Sequence, residues 1–232
     1  MAFTMRCALP TPGLNGADMD AQSVYPPPLK PEFFRREDES DDATFYADAR
    51  LVMHIDDAAI ASLSRFYGQL LPPGGAVLDL MSSWVSHLPE ETLLSGVVGL
   101  GMNGHELAEN SRLTERVIQD LNRDTVLPFE DNAFDGAIVT VSVQYLVRPV
   151  EVFADVGRVL RPGAPFAVAY SNRMFPSKAV AIWQMLDHRE RADLIGLYFR
   201  LSGSFGPVRA IDLSPGPGGD PLVVVVAEAL RA

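Results

Sequence analysis

The sequence has 232 residues, of which 47% are hydrophobic and 21% are charged, and its formal net charge is −11. These values predict one globular domain with a sizeable core, since single domains reach about 200–250 residues. The acidic balance would repel phosphate backbones, so nucleic acid is excluded as an expected partner. No apolar run approaches the ~18–20 residues that span a bilayer, so no membrane partner is expected either.

The cysteine content and the first residues predict where the protein resides. Cys7 is the only cysteine, so neither an intrachain disulfide nor a cysteine metal cluster can form. The first ten residues contain one basic residue but no apolar stretch of signal-peptide length. A reducing, cytoplasmic location is therefore expected. No metal-ligand spacing is present, so no metal site is predicted.

Residues 1–43 differ in composition from the rest of the chain. They are rich in proline and glycine, include the acidic run from Glu37 to Asp42, and lack sustained helical or strand periodicity. This composition predicts an N-terminal arm rather than a separate folding unit. The globular domain is then expected to cover residues 44–232.

Hydrophobic periodicity predicts alternating helices and strands in that domain. The first helix is capped by Asp56 or Asp57 and ends at a Pro-Pro-Gly-Gly breaker over residues 72–75. The predicted strands cover residues 76–80, 96–100, 116–119, 134–141, 165–170, 208–213 and 222–227. The later helices cover residues 104–110, 149–160, 177–186 and 189–201.

This alternation predicts an α/β fold with a mainly parallel sheet that is covered by helices on both faces. The last two strands are joined by the Gly/Pro-rich residues 214–219 without a helix. They should therefore form a hairpin, which adds an antiparallel strand to the sheet. Such an ending is not that of an ordinary dinucleotide-binding fold.

Three ordered segments resemble motifs of class I S-adenosylmethionine-dependent methyltransferases. Residues 77–80 (VLDL) are similar to the first-motif strand, and residues 127–135 (LPFEDNAFD) to the L-P-F-x-D-x-x-F-D stretch before the fourth strand. Residues 152–163 (VFADVGRVLRPG) are similar to the helix and turn that end in R-V-L-K-P-G. The resemblance implies a Rossmann-like, seven-stranded, mostly parallel sheet with a reversed C-terminal β-hairpin, and S-adenosylmethionine as the cofactor.

Residues 82–87 (SSWVSH) and 98–103 (VGLGMN) resemble a narrower, type 11-like branch with a divergent Ser-Ser-Trp first motif. The usual glycine-rich loop after the first strand lets bare backbone approach the cofactor closely. In this sequence the places of those glycines fall on Met81, Ser83 and Val85, and the acid that usually holds the ribose falls on Gly101.

Open α/β sheets bind ligands beyond the carboxyl ends of their strands, so the loops after the first four strands are the predicted cofactor site. After the first strand, the site includes Met81, and the hydroxyls of Ser82 and Ser83 could bind the methionine carboxylate, helped by amides at the start of a short helix. Trp84 could pack on the ribose, wall off the pocket, or belong to the core. Asp79 could accept from the cofactor's amino group, brace the loop through water, or only cap the next turn.

After the second strand, Asn103 and the backbone of Gly101 and Met102 are expected to take the ribose role, with a plain helix N-cap as the alternative for Asn103. After the third strand, Asp120 matches the family position that receives the adenine amino group, and the Leu121 amide would read the ring. Asp120 could instead cap the following turn.

Val141 and Ser142, after the fourth strand, complete the predicted cofactor site. Methyl transfer from a sulfonium is an in-line displacement that depends on proximity, orientation and desolvation. A base is needed only when the acceptor arrives protonated. By location, the candidate catalytic residues are His54, His87 and Tyr145, although residues of these types at such places are more often structural than catalytic.

Two functions are therefore open. The resemblance implies methyl transfer from S-adenosylmethionine to a small-molecule acceptor. The altered first motif and the missing acid favour the alternative of a catalytically silent binding or regulatory protein with the methyltransferase fold. Cofactor binding is the property that distinguishes them.

Overall fold

The computed structural model describes residues 28–231 and shows a seven-stranded sheet with helices on both faces. The strands are β1 (Ala76–Leu80), β2 (Gly96–Gly101), β3 (Glu115–Ile118), β4 (Gly136–Thr140), β5 (Pro165–Ser171), β6 (Arg209–Asp212) and β7 (Leu222–Glu228). The helices are α1 (Asp42–Phe45), α2 (Asp57–Leu70), α3 (Gly104–Glu109), α4 (Pro149–Val159), α5 (Ala181–Met185) and α6 (His188–Ser202). No helix within residues 28–231 is long and apolar enough to cross a membrane.

The strand order is β3-β2-β1-β4-β5-β7-β6. The first five strands pair in parallel, and β7 runs antiparallel to both β5 and β6. This confirms the predicted Rossmann-like, mostly parallel sheet with a reversed C-terminal hairpin. The chain leaves β1 toward β2 on one side and returns to β4 on the other. The carboxyl ends of β1 and β4 therefore flank the topological switch point, where such sheets bind ligands.

Each face of the sheet carries its own apolar core, which fixes the strands whose ends support the site. On one face α4 and α6 pack aromatic rings against the sheet, and the ring centroids of Phe153 and Phe166 lie 4.9 and 5.3 Å from that of Phe199. On the other face α2 buries Tyr67, whose hydroxyl bonds to the hydroxyl of Thr140 at 2.8 Å. Thr140 ends β4, so this bond holds α2 against the edge where the strands terminate.

The connection between β1 and β2 contains no helix. Residues 81–95 are irregular, and the backbone is left-handed at Met81 (φ 54°) and His87 (φ 53°), conformations that interrupt a right-handed helix. Pro89 follows shortly after and is poorly tolerated inside a helix. The prediction that a short helix begins next to Ser82 and Ser83 is therefore wrong.

The described part of the predicted arm, residues 28–43, lies against the domain. Leu29 and Phe34 are buried in the core on the α4/α6 face. The backbone amide of Asp38 donates to the carbonyl of Ser177 at 2.8 Å, so this stretch is also fixed by hydrogen bonds. Residues 1–27 lie outside the described residues. The arm of residues 1–43 and its boundary with a domain of residues 44–232 stay predictions.

Candidate functional site

A cavity of about 320 Å³ lies at the carboxyl ends of β1, β2 and β4, and this volume is in the range of small-molecule pockets. Its walls are the loops after β1 to β4, the segment between α1 and α2, and the loop after β5. The sequence-predicted residues that line it are His54, Met81, Ser82, Ser83, Gly101, Met102, Asn103, Asp120, Leu121, Val141, Ser142 and Tyr145. Three other predicted residues, Asp79, Trp84 and His87, do not line it.

Asp79 braces the loop after β1 from inside the protein. Its carboxylate is 2% exposed and accepts hydrogen bonds from the hydroxyls of Ser82 at 2.7 Å and Ser86 at 2.6 Å. The Ser86 hydroxyl in turn accepts from the side-chain amide of Asn110 at 2.9 Å. Burial raises the pKa of Asp79 to about 6, although the two serine hydrogen bonds oppose the rise. This network fixes the loop in the absence of a helix, so Asp79 acts on the cavity through Ser82.

Asp79→Asn should remove the free-energy cost of burying the Asp79 charge in the folded protein, a cost that depends on pH. Asp79 titrates near pH 6 when folded, but near pH 3.9 when unfolded. The cost of burying its charge therefore appears as pH rises from about 4 to 6 and is complete above that window. Asparagine keeps an acceptor for both serines and carries no charge. We expect the variant to gain up to about 3 kcal/mol of unfolding free energy relative to wild type across this window. Urea unfolding at several pH values measures this gain, and parallel pH profiles would contradict it.

Gly101 is required because the loop after β1 crosses directly over it. A Cβ atom at this position would lie 2.2 Å from the carbonyl oxygen of Ser82, far closer than such atoms approach. The amide of Ser82 donates to the carbonyl of Leu100 at 2.8 Å and holds the crossing in place. An acidic side chain cannot be accommodated there. The divergent first loop and the missing ribose acid are thus two aspects of one structural change.

Asn103 lines the cavity, but its side chain is already engaged. Its Oδ1 accepts from the amides of His105 at 2.9 Å and Glu106 at 3.0 Å, which caps α3. Its Nδ2 donates to the carbonyls of Tyr46 at 2.9 Å and Ala47 at 3.0 Å. These four bonds use the capacity of an amide. The N-cap alternative therefore describes the side chain of Asn103, and the ribose role expected of the Gly101 and Met102 backbone stays a prediction.

Glu106 is a cavity residue that the sequence reasoning missed. Its Oε2 accepts from the hydroxyl of Ser83 at 2.5 Å, and its Oε1 accepts from the backbone amide of Arg50 at 2.7 Å. It joins the loop after β1, α3 and the segment before α2. The spacing from Asn103 to Glu106 is that of a helix N-cap and its third residue, which is the signal that could have placed this carboxylate at the site.

Two polar groups of the cavity lining have unused hydrogen-bonding capacity. Asp120 follows β3, and its Oδ1 accepts from the amide of Asn122 at 2.9 Å. Its Oδ2 makes no hydrogen bond within residues 28–231, and burial raises the pKa of Asp120. The hydroxyl of Ser142 is buried and likewise has no partner in the described part of the chain. A carboxylate oxygen and a hydroxyl are therefore available to a ligand here.

Of the three candidate bases, His54 and Tyr145 line the cavity. Burial lowers the pKa of His54, so its imidazole is neutral near pH 7 and can accept a proton. The hydroxyl of Tyr145 accepts from the amide of Phe175 at 2.8 Å, and burial raises its pKa, so the phenol stays protonated and is not available as a base. His87 is buried outside the cavity, where burial lowers its pKa to about 4. The geometry favours His54.

Trp84 fastens two segments together outside the cavity. Its indole Nε1 donates to the carbonyl of Val52 at 3.0 Å. The loop after β1 turns Trp84 toward the segment before α2, which places it away from the cavity lining. Trp84 therefore joins the loop after β1 to the segment before α2 and does not line the cavity.

Comparison with known proteins adds to this geometry. Residues 85–168 match a family model described as a methyltransferase domain. The sterol methyltransferase-like 1 protein of Botryococcus braunii is 30% identical over 127 residues, which are 50% of this chain and 30% of that protein. The crystal structure of the cyclase SpnF gives a TM-score of 0.58 at 13% identity, covering 79% of this chain and 89% of that chain. An S-adenosylmethionine-dependent methyltransferase from Aquifex aeolicus gives 0.52 at 17% identity, covering 82% and 97%.

The chain spans between 11% and 30% of the length of the curated relatives that it matches. The low identities to the solved structures make that likeness one of fold. The narrower resemblance to a branch with a Ser-Ser-Trp motif stays a prediction. The strand order and the reversed hairpin are shared with these solved structures, so the chain has a Rossmann-like fold of the methyltransferase type, and its residues 85–168 are similar to a methyltransferase domain.

Proposed function

We propose that the protein transfers a methyl group from S-adenosylmethionine to a small-molecule acceptor. The observation that carries the proposal is a cavity at the switch point whose free polar groups suit this cofactor. In its lining, Asp120 offers an acceptor, Ser142 a hydroxyl and Arg50 a cation. When bound, the cofactor would supply an electrophilic methyl group on a positively charged sulfur.

In this proposal the chain contributes binding and enclosure. The carboxylate of Asp120 would accept from the adenine amino group, with the Leu121 amide beside it. The backbone of Gly101 and Met102 would lie along the ribose. The cavity walls would orient the acceptor and exclude water, which are the main contributions that an in-line methyl transfer needs.

For an acceptor that arrives protonated, His54 is the proposed general base. His54→Gln should lower kcat by roughly 10²–10⁴-fold, the usual contribution of a positioned base. The wild-type rate should rise with pH through the pKa of His54, which burial places below its ordinary 6.5, and then level off. The variant should lose this acidic limb in a profile of kcat against pH.

His105→Gln is the matched control for this prediction, because His105 is exposed on α3 and does not line the cavity. It should keep both the rate and the acidic limb. An unchanged profile in His54→Gln would remove His54 from the reaction.

The alternative, a catalytically silent protein with this fold, is favoured by the loop without glycines or a helix after β1. Incubation with methyl-labelled S-adenosylmethionine and a metabolite extract distinguishes the two functions. We expect label in an extract component that depends on the protein. Weak or absent binding of the cofactor together with no labelled product would favour the silent protein and remove the methyltransferase proposal.

A further inference from the structure

Arg50 presents a positive charge to the cavity from a fixed position. Its guanidinium carbon lies 4.5 Å from the ring centroid of Phe45 and 5.3 Å from that of Phe175. Its Nη2 donates to the carbonyl of Phe45 at 2.9 Å, and its backbone amide donates to Glu106. The remaining nitrogen, Nη1, is buried and has no hydrogen-bond partner within residues 28–231.

A buried charged donor without a partner is costly unless a ligand completes it. Among the cavity-lining residues described, the other cationic side chain is Arg173, which is already paired with Asp220 at 2.9 Å. His54 is neutral near pH 7, since burial lowers its pKa. The cavity therefore has one arginine, Arg50, whose charge is not paired with a carboxylate. An anionic group of a ligand would pair with it.

The carboxylate of Glu106 lines the same cavity and is bound to the Arg50 backbone, but it does not pair with the guanidinium. Glu106 accepts from the Arg50 backbone amide and from the Ser83 hydroxyl, while the Arg50 guanidinium makes no ion pair in the described part of the chain. Of the other cavity carboxylates, Asp42 is paired with Arg36 and Lys178, and Asp120 lies after β3. A positive and a negative side chain that are not paired with each other thus line one cavity, an arrangement complementary to a zwitterion.

The irregular loop after β1 is a second reason to expect that a ligand carboxylate binds to Arg50. A helix beginning there would offer its amino-terminal amides to a carboxylate, but residues 81–95 contain no helix. The helix amides that would receive a carboxylate are therefore missing beside this loop, and the unpaired Nη1 of Arg50 is a donor that can take their place.

We propose that Arg50 and Glu106 bind the amino-acid end of the cofactor, Arg50 receiving its carboxylate and Glu106 its ammonium group. The inference rests on the proposed function, because it concerns the same ligand. It makes the segment before α2 part of the cofactor site. Arg50 and Glu106 are binding residues, with no part in proton transfer.

The test compares S-adenosylhomocysteine with 5′-methylthioadenosine, which lacks the amino-acid end, by calorimetry on the full chain. Arg50→Gln should weaken S-adenosylhomocysteine about ten- to hundredfold, as expected for a lost charge-assisted hydrogen bond, and leave 5′-methylthioadenosine unchanged. Arg50→Lys should recover part of the loss. Arg173→Gln, which removes a charge of the same sign from the same cavity, should change neither affinity.

The outcomes separate this inference from the proposed function. If wild type binds both ligands and Arg50→Gln leaves the affinity for S-adenosylhomocysteine intact, the Arg50 assignment is wrong and the cofactor site stands. Equal weakening of both ligands would make Arg50 a structural residue and overturn the assignment as well. If wild type binds neither ligand, the proposed function fails and the assignment fails with it.

Discussion

Asp42→Asn should destabilise the folded protein by about 3–5 kcal/mol, the usual cost of breaking a buried ion pair. Asp42 is 5% exposed and accepts from Nη1 of Arg36 at 2.7 Å and from Nδ2 of Asn122 at 2.9 Å. It also lies 3.1 Å from the Nζ of Lys178, which is completely buried. An asparagine would leave two buried cations without their shared carboxylate. Urea unfolding at neutral pH measures the loss.

Asp41→Asn is the matched control, one residue away and chemically the same change. Asp41 is exposed and its ion pair with Arg123 spans 3.6 Å, so this variant should lie within about 1 kcal/mol of wild type. Asparagine can also keep the hydrogen bond by which Asp41 caps α1. If both substitutions lower the free energy of unfolding by the same small amount, the contacts of Asp42 with Arg36, Asn122 and Lys178 do not anchor residues 38–42 to the domain.

Asp42 should also make the free energy of unfolding decrease at low pH. Burial by itself would raise its pKa, but hydrogen bonds from Arg36, Asn122 and Lys178 outweigh burial and hold the pKa below its ordinary value. The stabilisation is therefore present above pH ~4 and is lost as pH falls through the lowered pKa. The Asp42→Asn variant should lack this part of the pH dependence.

Asp120→Asn should weaken the binding of S-adenosylhomocysteine by roughly ten- to hundredfold, corresponding to about 1.5–3 kcal/mol. Asparagine keeps an oxygen for the amide of Asn122, so the turn after β3 can survive. It replaces the free Oδ2 with a donor, which cannot accept from an adenine amino group. Calorimetry gives the affinity, and thermal unfolding of the same variant should give a nearly unchanged Tm.

A purely structural Asp120 predicts the reverse pattern. In that case Asp120→Ala lowers Tm because the Asn122 amide loses its acceptor, while Asp120→Asn leaves affinity unchanged. Unaltered affinity in both variants would remove Asp120 from the site.

The fold could be predicted from the sequence because helix caps, apolar runs and turn residues are patterns among residues that are close in the chain. Asp56 begins α2 by accepting from the amide of Ala59 at 2.8 Å, three residues along the chain. The apolar runs of β1, β2, β4 and β5 and the Gly/Pro link before β7 are read directly from neighbouring residues. Motif order then identified which strand ends form the site, and most of the predicted residues do line the cavity.

The errors and omissions arise where distant segments meet. Periodicity does not reveal that Asn103 donates to Tyr46 and Ala47, which lie far away in sequence. Nor does it show that the Ser82 carbonyl lies over Gly101, which explains the missing acid. Arg50 and Glu106 were missed for the same reason, since their significance comes from a contact between the segment before α2 and α3.

The central claim is that this cavity binds S-adenosylmethionine, and titration of the full chain with S-adenosylhomocysteine tests it most directly. The account predicts measurable heat at one site and thermal stabilisation. Ligand at about 100 times its Kd should stabilise by about 2.7 kcal/mol and raise Tm by roughly 5–10 °C. Absence of both heat and stabilisation at millimolar ligand would contradict the claim.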